Sequence, residues 1–308
     1  MTGREGVRRP LHLAVAAAAI AMAGCNDSST GVPIPTPTPL TIPAFLVVGD
    51  DGGFAQIFRV QDSTVIKLST TASNDVDPRS SAGRIVFSSD RAGNAEVYIS
   101  DTAMTVSRRV TSSNATDNHP ALDPTGATIV FVSDRSGAPR LWTVPAPALD
   151  ATVFDVPAAL VTGSASATPE GAPAWSPDGH TIAFSSTRTG RSEIFTVPAA
   201  GGSAVQITNE VGGAFNPAWS ADGGAIYYTS TVGALHLRKV QLSSGGATDF
   251  ALDSLDLDAA SCNATLCLTA EDPAGSRGSI LAFPVKGGNP VPVLARTRNE
   301  REAAILAP

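Results

Sequence analysis

The sequence predicts an all-β fold: a six-bladed β-propeller that is closed by pairing of the C-terminal strand with the N-terminal strands. Two observations carry this prediction. A unit recurs along the chain with its four anchor prolines 42, 53 and 44 residues apart, namely Pro78, Pro120, Pro173 and Pro217. Each unit also contains short segments in which apolar and polar residues alternate, as they do in half-buried strands. A repeat of this length with four short strands is typical of a propeller blade.

The composition excludes two broad classes of protein. The 308 residues include 28 glycines and 23 prolines, and only 16% are charged, which excludes a long helical rod or coiled coil. The formal net charge is -7, and the sequence has no run of Lys and Arg, whereas nucleic-acid binding needs clustered positive charge. We therefore expect a globular β protein that does not bind nucleic acid.

The N-terminus has the layout of a secretory signal. Several arginines precede an apolar stretch from Leu11 to Met22, which is too short for a permanent membrane span. Residues 22 to 25, Met-Ala-Gly-Cys, resemble the bacterial lipobox, in which the cysteine is acylated and the preceding peptide is removed. This resemblance implies lipidation of Cys25, with ordinary cleavage beside a cysteine as the alternative. Asn26 follows, and in such lipoproteins this favours the outer membrane, so we expect a lipid-anchored, periplasm-facing envelope protein.

The segment after Cys25 predicts a tether. Proline occupies alternate positions from Pro33 to Pro39, and apolar periodicity is absent. Such a segment favours extended polyproline geometry and does not bury a core. The predicted domains are therefore a signal peptide (1–24), a tether (25–43) and a propeller (44–308).

One unit illustrates how each blade is predicted to form. A first strand from Ala172 to Ser176 leads into a turn of Pro177, Asp178 and Gly179, in which proline and glycine supply the required backbone angles. Alternating strands follow at Thr181 to Ser185 and at Glu193 to Val197, and an outer strand spans Val205 to Thr208. Alternation places one face of each strand against the neighbouring blade.

The two ends of the propeller predict its closure. Residues 44 to 69 supply three strands without a first one, whereas residues 302 to 308 read as a lone first strand. Together they complete one blade and leave no open sheet edge along the ring. A degenerate sixth unit begins near Ala260, so the count is six blades.

The repeats resemble the TolB-type β-propeller repeat, which has the pattern P-x-W-S-P-D-G, then I-x-F-x-S and an R-x-G turn. The matching residues in one unit are Trp175, Ser176, Pro177, Asp178, Gly179, Arg188 and Gly190, and those in the next are Trp219, Ser220, Asp222 and Gly223. The resemblance covers about 44 to 308 and fades after Leu242. It implies a propeller fold, and the identity of a partner does not transfer with it.

Acidic residues precede several anchor prolines by three positions. First strands line the channel of a propeller, so these carboxylates are candidates for a channel-mouth ring that holds a hard cation such as Ca²⁺. Alternatively, they only solvate the loop that enters each blade. The channel-mouth candidates are Asp75, Asp117, His119, Glu170, Asp258 and Glu300.

Two other patterns have structural interpretations. Arginine recurs in the turn of several blades, at Arg91, Arg135 and Arg188; it predicts either an anion site or a pair with a carboxylate of a neighbouring blade. Cys262 and Cys267 fall on opposite arms of a predicted hairpin, and an exported protein can oxidise such a pair to a disulfide.

The sequence contains no G-x-S-x-G, H-E-x-x-H or P-loop motif. We therefore expect a non-catalytic, monomeric, lipid-anchored module that binds an envelope protein or peptide and needs no cofactor. The alternative is a glycan-binding or polysaccharide-lyase-type propeller that uses a cation at the channel mouth.

Overall fold

The computed structural model describes residues 40–62, 64–150, 157–161, 168–232, 234–249, 261–270, 279–285, 291–295 and 301–306. Over these ranges the chain forms β-strands joined by short turns. In chain order the strands are β1 (Phe45–Asp51), β2 (Phe54–Gln61), β3 (Thr64–Lys67), β4 (Asp75–Ser81), β5 (Arg84–Ser89), β6 (Glu96–Asp101), β7 (Ser107–Arg109), β8 (Asp117–Leu122), β9 (Thr128–Ser133), β10 (Arg140–Pro145), β11 (Ala159–Leu160), β12 (Glu170–Trp175), β13 (Thr181–Ser186), β14 (Glu193–Pro198), β15 (Val205–Gln206), β16 (Ala214–Trp219), β17 (Ala225–Val232), β18 (Ala234–Gln241), β19 (Ala247–Asp249), β20 (Ser261–Cys262), β21 (Leu266–Ala270), β22 (Ser279–Pro284), β23 (Val291–Ala295) and β24 (Arg301–Ile305).

These strands form six antiparallel sheets of four strands each, and each sheet is one blade. Blade 1 has the order β24-β1-β2-β3, and blades 2 to 6 follow as β4–β7, β8–β11, β12–β15, β16–β19 and β20–β23. The first strands of successive blades contact one another, from β4 through β8, β12, β16 and β20 to β24 and back to β4. The prediction of a six-bladed β-propeller is therefore confirmed.

Blade 1 joins the two ends of the folded chain. In the pairing of β1 with β24, Phe45 lies opposite Ile305, Leu46 opposite Ala304 and Val47 opposite Ala303. The N–H of Leu306 also donates to the carbonyl of Ala44 at 2.9 Å. The predicted closure is thus confirmed, and the strand from the C-terminal end takes the innermost position.

The hydrophobic core is divided among the interfaces between blades. Between blades 1 and 2, for example, Leu46 and Ile57 pack against Ile85 and Phe87, and all four are buried. Each of the six interfaces has one such cluster. Strand alternation explains this arrangement, because successive side chains of a central strand point to the blade before and the blade after.

The turn between β12 and β13 shows why the repeat has its sequence signature. The N–H of Gly179 donates to the carbonyl of Ser176 at 2.9 Å, and Gly179 has a φ of 71°, which favours a residue without Cβ. Asp178 accepts hydrogen bonds from the Ser176 hydroxyl at 2.5 Å and from the N–H of His180 at 2.9 Å.

Among the residues described, none belongs to a helix that is long and apolar enough to cross a membrane.

Candidate functional site

The three predicted acids in the described part of the chain begin the first strands of blades 2, 3 and 4. Asp75 and Asp117 are 0% exposed and Glu170 is 3% exposed. Each lies opposite a serine on the second strand of its own blade, namely Ser89, Ser133 and Ser186. Equivalent residues of the repeat therefore occupy equivalent positions.

Each acid pairs with the arginine in the turn of its own blade. The Nη2 atoms of Arg91, Arg135 and Arg188 lie 2.8, 2.7 and 2.5 Å from carboxylate oxygens of Asp75, Asp117 and Glu170, respectively. The Nε of each arginine donates to the serine described above, at 2.8, 2.8 and 3.2 Å. Each guanidinium also lies over two aromatic rings, which are Phe87 and Tyr98, Phe131 and Trp142, and Phe184 and Phe195.

These contacts correct two expectations. The arginines do not pair with a neighbouring blade, because the β-turn between the second and third strands returns each of them to the start of its own first strand. Asp75, Asp117 and Glu170 do not form an open ring at the channel mouth, because their carboxylates are buried against guanidinium groups. In the described part of the chain, no group of three or more His, Cys, Asp or Glu side chains could hold a metal ion.

Burial has the largest effect on the pKa values of these acid–arginine pairs. It raises the pKa of Asp117, because loss of solvent outweighs the hydrogen bonds from Ser133 and Arg135. It also lowers the pKa of Arg188, although the neighbouring Glu170 opposes that shift. The acid and arginine thus hold the blade together at its inner end.

The first strands bulge directly after the acid position. The residue before each anchor proline has a positive φ: 53° for Asp77, 48° for His119, 46° for Ala172 and 51° for Asn216. At each of these points the register to the second strand shifts. Non-glycine residues rarely adopt this conformation, and such bulges redirect side chains. Because the first strands surround the axis, the bulges line the channel.

Asp77 and His119 meet across two adjacent blades at these bulges. The Nε2 of His119 lies 3.7 Å from Oδ1 of Asp77, and the backbone N–H of His119 donates to Oδ2 of Asp77 at 3.2 Å. The side chain of His119 is 44% exposed and that of Asp77 is 15% exposed. His119 was predicted near the channel, whereas Asp77 was missed. The signal that could have found it is its place immediately before an anchor proline, which it shares with His119.

The Asp77–His119 pair lacks the arrangement of a nucleophilic triad. The hydroxyl of Ser88 is 3.4 Å from Oδ2 of Asp77, and Ser88 is only 1% exposed. In a triad, the nucleophile contacts the imidazole and is open to substrate. Here the serine contacts the carboxylate and is buried.

Cys262 and Cys267 face each other across β20 and β21 and form a disulfide with an S–S distance of 2.06 Å. The other predicted site residues, namely Cys25, Asp258 and Glu300, lie outside the described residues.

Known proteins share the repeat and the ring. A family model described as the TolB beta propeller domain matches residues 159–254. The crystal structure of TolB from Acinetobacter baumannii is similar, with a TM-score of 0.71 at 18% identity. This chain is a TolB-like β-propeller. The match covers 85% of the chain and 66% of the Acinetobacter protein, so the chain spans slightly less than two thirds of that relative.

Other similar proteins carry different activities in their names. The uncharacterized peptidase YuxL of Bacillus subtilis (strain 168) is 40% identical over 62 residues, which is 20% of this chain and 9% of that protein. An oligogalacturonate lyase from Vibrio parahaemolyticus has a TM-score of 0.57 at 12% identity, and the match covers 83% of this chain and 75% of the lyase. At these identities the likeness to solved structures establishes the fold, and function has to be argued from the residues.

The TolB-like signature residues join neighbouring blades. The indole N–H of Trp175 donates to the carbonyl of Ala121 in the preceding blade at 3.0 Å. Trp219 repeats this contact one blade later, with the carbonyl of Ala174 at 3.1 Å. The tryptophan of the repeat is therefore a structural link between neighbouring blades of the TolB-like ring.

Proposed function

We propose that this TolB-like propeller is a non-catalytic, lipid-anchored module of the bacterial envelope that binds a protein or peptide at its channel mouth. The observation that carries the proposal is the set of four channel bulges. Their backbone φ values agree within a few degrees, but their side chains are an aspartate, a histidine, an alanine and an asparagine. A repeated backbone with different side chains suits recognition of an asymmetric ligand.

The polar groups at the bulges fit the donors and acceptors of a polypeptide. Asp77 accepts hydrogen bonds, and His119, with its exposed ring, is able to donate or accept one. The surrounding blades are rigid, and the loops at their ends vary in sequence, which suits recognition. The predicted lipid on Cys25 and the predicted tether from 25 to 43 would hold this surface at the membrane, facing the periplasm and with the outer membrane favoured.

The alternative, a cation-dependent glycan-binding or lyase-type propeller, receives less support. The likeness to an oligogalacturonate lyase favours it at the level of fold. However, a cation site needs carboxylates that are open to the ion, and Asp75, Asp117 and Glu170 are each buried and paired with a guanidinium.

The test is a capture experiment with matched variants of the full chain. The double variant Asp77→Asn, His119→Gln changes the charge of the channel pair while keeping polar groups of similar size. His180→Gln is the control, because His180 is exposed in the turn between β12 and β13. Each protein is immunoprecipitated from detergent-solubilised envelopes, and co-purifying proteins are quantified by mass spectrometry.

We expect a specific partner with the wild type and the control, and at least a ~10-fold loss with the double variant, the equivalent of ~1.4 kcal/mol. Equal recovery with all three proteins would contradict binding at the channel. Recovery of nothing above background, together with calcium-dependent binding to a glycan array, would favour the alternative function.

A further inference from the structure

One position near the start of the third strand has a different side chain and a different charge balance in blades 1 to 4. In blade 2 this position is Glu96, which is 0% exposed. Its carboxylate accepts hydrogen bonds from the Thr111 hydroxyl at 2.6 Å and from the N–H of Ser113 at 2.9 Å. Its charge is neutralised by Arg109 of the outer strand, whose Nη2 lies 2.6 Å from Oε1.

Blade 4 repeats this arrangement without the arginine. Glu193 is 1% exposed, and it accepts hydrogen bonds from the Thr208 hydroxyl at 2.6 Å and from the N–H of Glu210 at 2.9 Å. Gln206 lies opposite Phe195, as Arg109 lies opposite Tyr98. The side-chain nitrogens of the two residues also make equivalent hydrogen bonds. Nε2 of Gln206 donates to the carbonyl of Thr208 at 2.7 Å, and Nε of Arg109 donates to the carbonyl of Thr111 at 2.6 Å.

At the same position, blades 1 and 3 have side chains that need no added cation. Blade 1 has the neutral Gln56, which donates to the carbonyl of Ser73 at 2.6 Å. Blade 3 has Arg140, whose Nε lies 3.3 Å from a carboxylate oxygen of Glu170. In blades 1 to 4, Glu193 is therefore the one charged group at this position for which no oppositely charged partner lies within 4 Å among the described residues.

The surroundings of Glu193 do not supply the missing charge. Glu210 is also buried, and it forms an ion pair with Nη1 of Arg238. The hydroxyl of Tyr228 donates to Glu210 at 2.5 Å, and burial together with this bond raises the pKa of Tyr228, so the phenol stays neutral. Arg191 is exposed and its Nη1 donates to the carbonyl of Val211 at 3.4 Å. The recorded ion pair of Arg238 is thus with Glu210, and Glu193 has no ion pair among the described residues.

A groove of about 580 Å³ opens in front of these carboxylates, between blades 4 and 5. Its lining includes Glu193, Gln206, Thr208 and Glu210, and the exposed Arg191 also lines it. Val205 and Val211, which neighbour Gln206 and Glu210 in the chain, are 59% and 79% exposed. The site thus combines a buried acid, room for a side chain and two apolar lining residues, Ile207 and Val240.

We propose that this groove binds an arginine side chain of a partner polypeptide, whose guanidinium takes the place that Arg109 fills in blade 2. A buried carboxylate without a counter-ion is costly, and a guanidinium satisfies it through directed N–H donors. Arginine fits better than lysine, because its planar fork matches a carboxylate and is more weakly hydrated. Ile207 and Val240 of the lining favour a polypeptide over a free small cation, since they offer apolar contact beyond the charged group. This inference deepens the proposed function by naming one side chain of the partner and a second contact surface.

The test titrates the full chain, purified in detergent, with the capped peptide acetyl-Gly-Arg-Gly-amide. The matched probe replaces arginine by citrulline, which keeps the shape and removes the charge. The readout is the NMR shift of the Glu210 amide, because its N–H donates to Glu193. Two variants change the groove: Gln206→Arg supplies an internal guanidinium, and Glu193→Gln removes the negative charge of the carboxylate. The control is Gln61→Arg, at an exposed end of β2, which adds a positive charge elsewhere on the protein.

We expect the arginine peptide to shift the Glu210 amide and the citrulline peptide to bind at least ~10-fold more weakly, the equivalent of ~1.4 kcal/mol. Gln206→Arg and Glu193→Gln should lose this response, and Gln61→Arg should keep it. Arg109→Gln in blade 2 should create a second responsive site at the Ser113 amide. Equal binding of the two peptides, an unchanged response in Gln206→Arg, or no shift of the wild-type amide at millimolar peptide would overturn the proposal. The peptide reports on the groove whether or not an envelope partner is captured at the channel, so failure of this proposal is distinct from failure of the proposed function.

Discussion

Ile305 lies directly opposite Phe45 in blade 1, and both side chains are buried in the same apolar cluster between blades 6 and 1. The contact joins residues that are almost the whole length of the propeller apart in sequence. Closure therefore makes the stability of the first blade depend on the last strand, and the ring has no free sheet edge at this point.

A charge placed in the closing strand should destabilise the entire ring. Ala304 is 1% exposed and packs in the cluster that contains Leu46 and Ile85. We expect Ala304→Asp to lower the free energy of unfolding by about 3 kcal/mol or more, because it buries an unpaired carboxylate. Urea denaturation followed by circular dichroism measures the change. Ala221→Asp in an exposed turn is the control and should stay within about 0.5 kcal/mol of wild type. A midpoint for Ala304→Asp equal to that of the control would contradict closure by β24.

The acid and arginine of one blade should be energetically coupled. Blade 5 has Ala214 at the acid position and Val232 in place of the arginine, so both members of the pair are absent together. Arg135→Val should destabilise the protein by about 3–5 kcal/mol, because Asp117 is left buried without its cation. The double variant Asp117→Ala, Arg135→Val should cost about 2 kcal/mol less than the sum of the two single changes. Additive costs in a denaturant-based double-mutant cycle would show that the pair does not act as a unit.

The turn aspartates should contribute to the loss of stability in acid. Hydrogen bonds, first from the hydroxyl of Ser176 and then from the N–H of His180, lower the pKa of Asp178. A carboxyl group whose pKa is lower in the folded state stabilises the protein above its unfolded pKa, and this contribution is lost as the pH falls through the folded value. Asp178→Asn should therefore flatten the acidic limb of the curve of melting temperature against pH, below about pH 4. Parallel curves for the variant and the wild type would refute this assignment.

The predicted lipid anchor has a direct test. If Cys25 is acylated, the wild-type protein should partition with membranes, and the mass of its mature N-terminal peptide should include the lipid. Cys25→Ala should move the protein to the soluble fraction without a change in the folded propeller, because Cys25 precedes the first strand of the ring in the sequence. The disulfide partners are the control: Cys262→Ser with Cys267→Ser should leave the membrane fraction unchanged. Equal partitioning of wild type and Cys25→Ala would exclude the anchor.

The sequence predicted strand positions with small errors at the ends. The strand expected at Thr181 to Ser185 extends to Ser186, and the one expected at Glu193 to Val197 extends to Pro198. The outer strand expected at Val205 to Thr208 is a strand only at Val205–Gln206, although the N–H of Ile207 still donates to the carbonyl of Ile194 at 2.8 Å. The hydroxyl of Thr208 donates to Glu193. A side-chain contact of that kind gives no signal in the alternation of apolar residues.

The sequence by itself determined the number of blades, their order and the closure of the ring. These features depend on local signals, namely two-residue alternation, turns rich in proline and glycine, and a repeat whose two incomplete ends complement each other. Only the tertiary structure decided which charges pair. In the folded protein, Arg91 pairs with Asp75 of the same blade, and His119 lies beside Asp77 of the neighbouring blade. Glu193 has no cation within 4 Å among the described residues. The physical reason is that ion pairing depends on side-chain reach and burial across a twisted sheet, and these distances are set only when all the blades are packed.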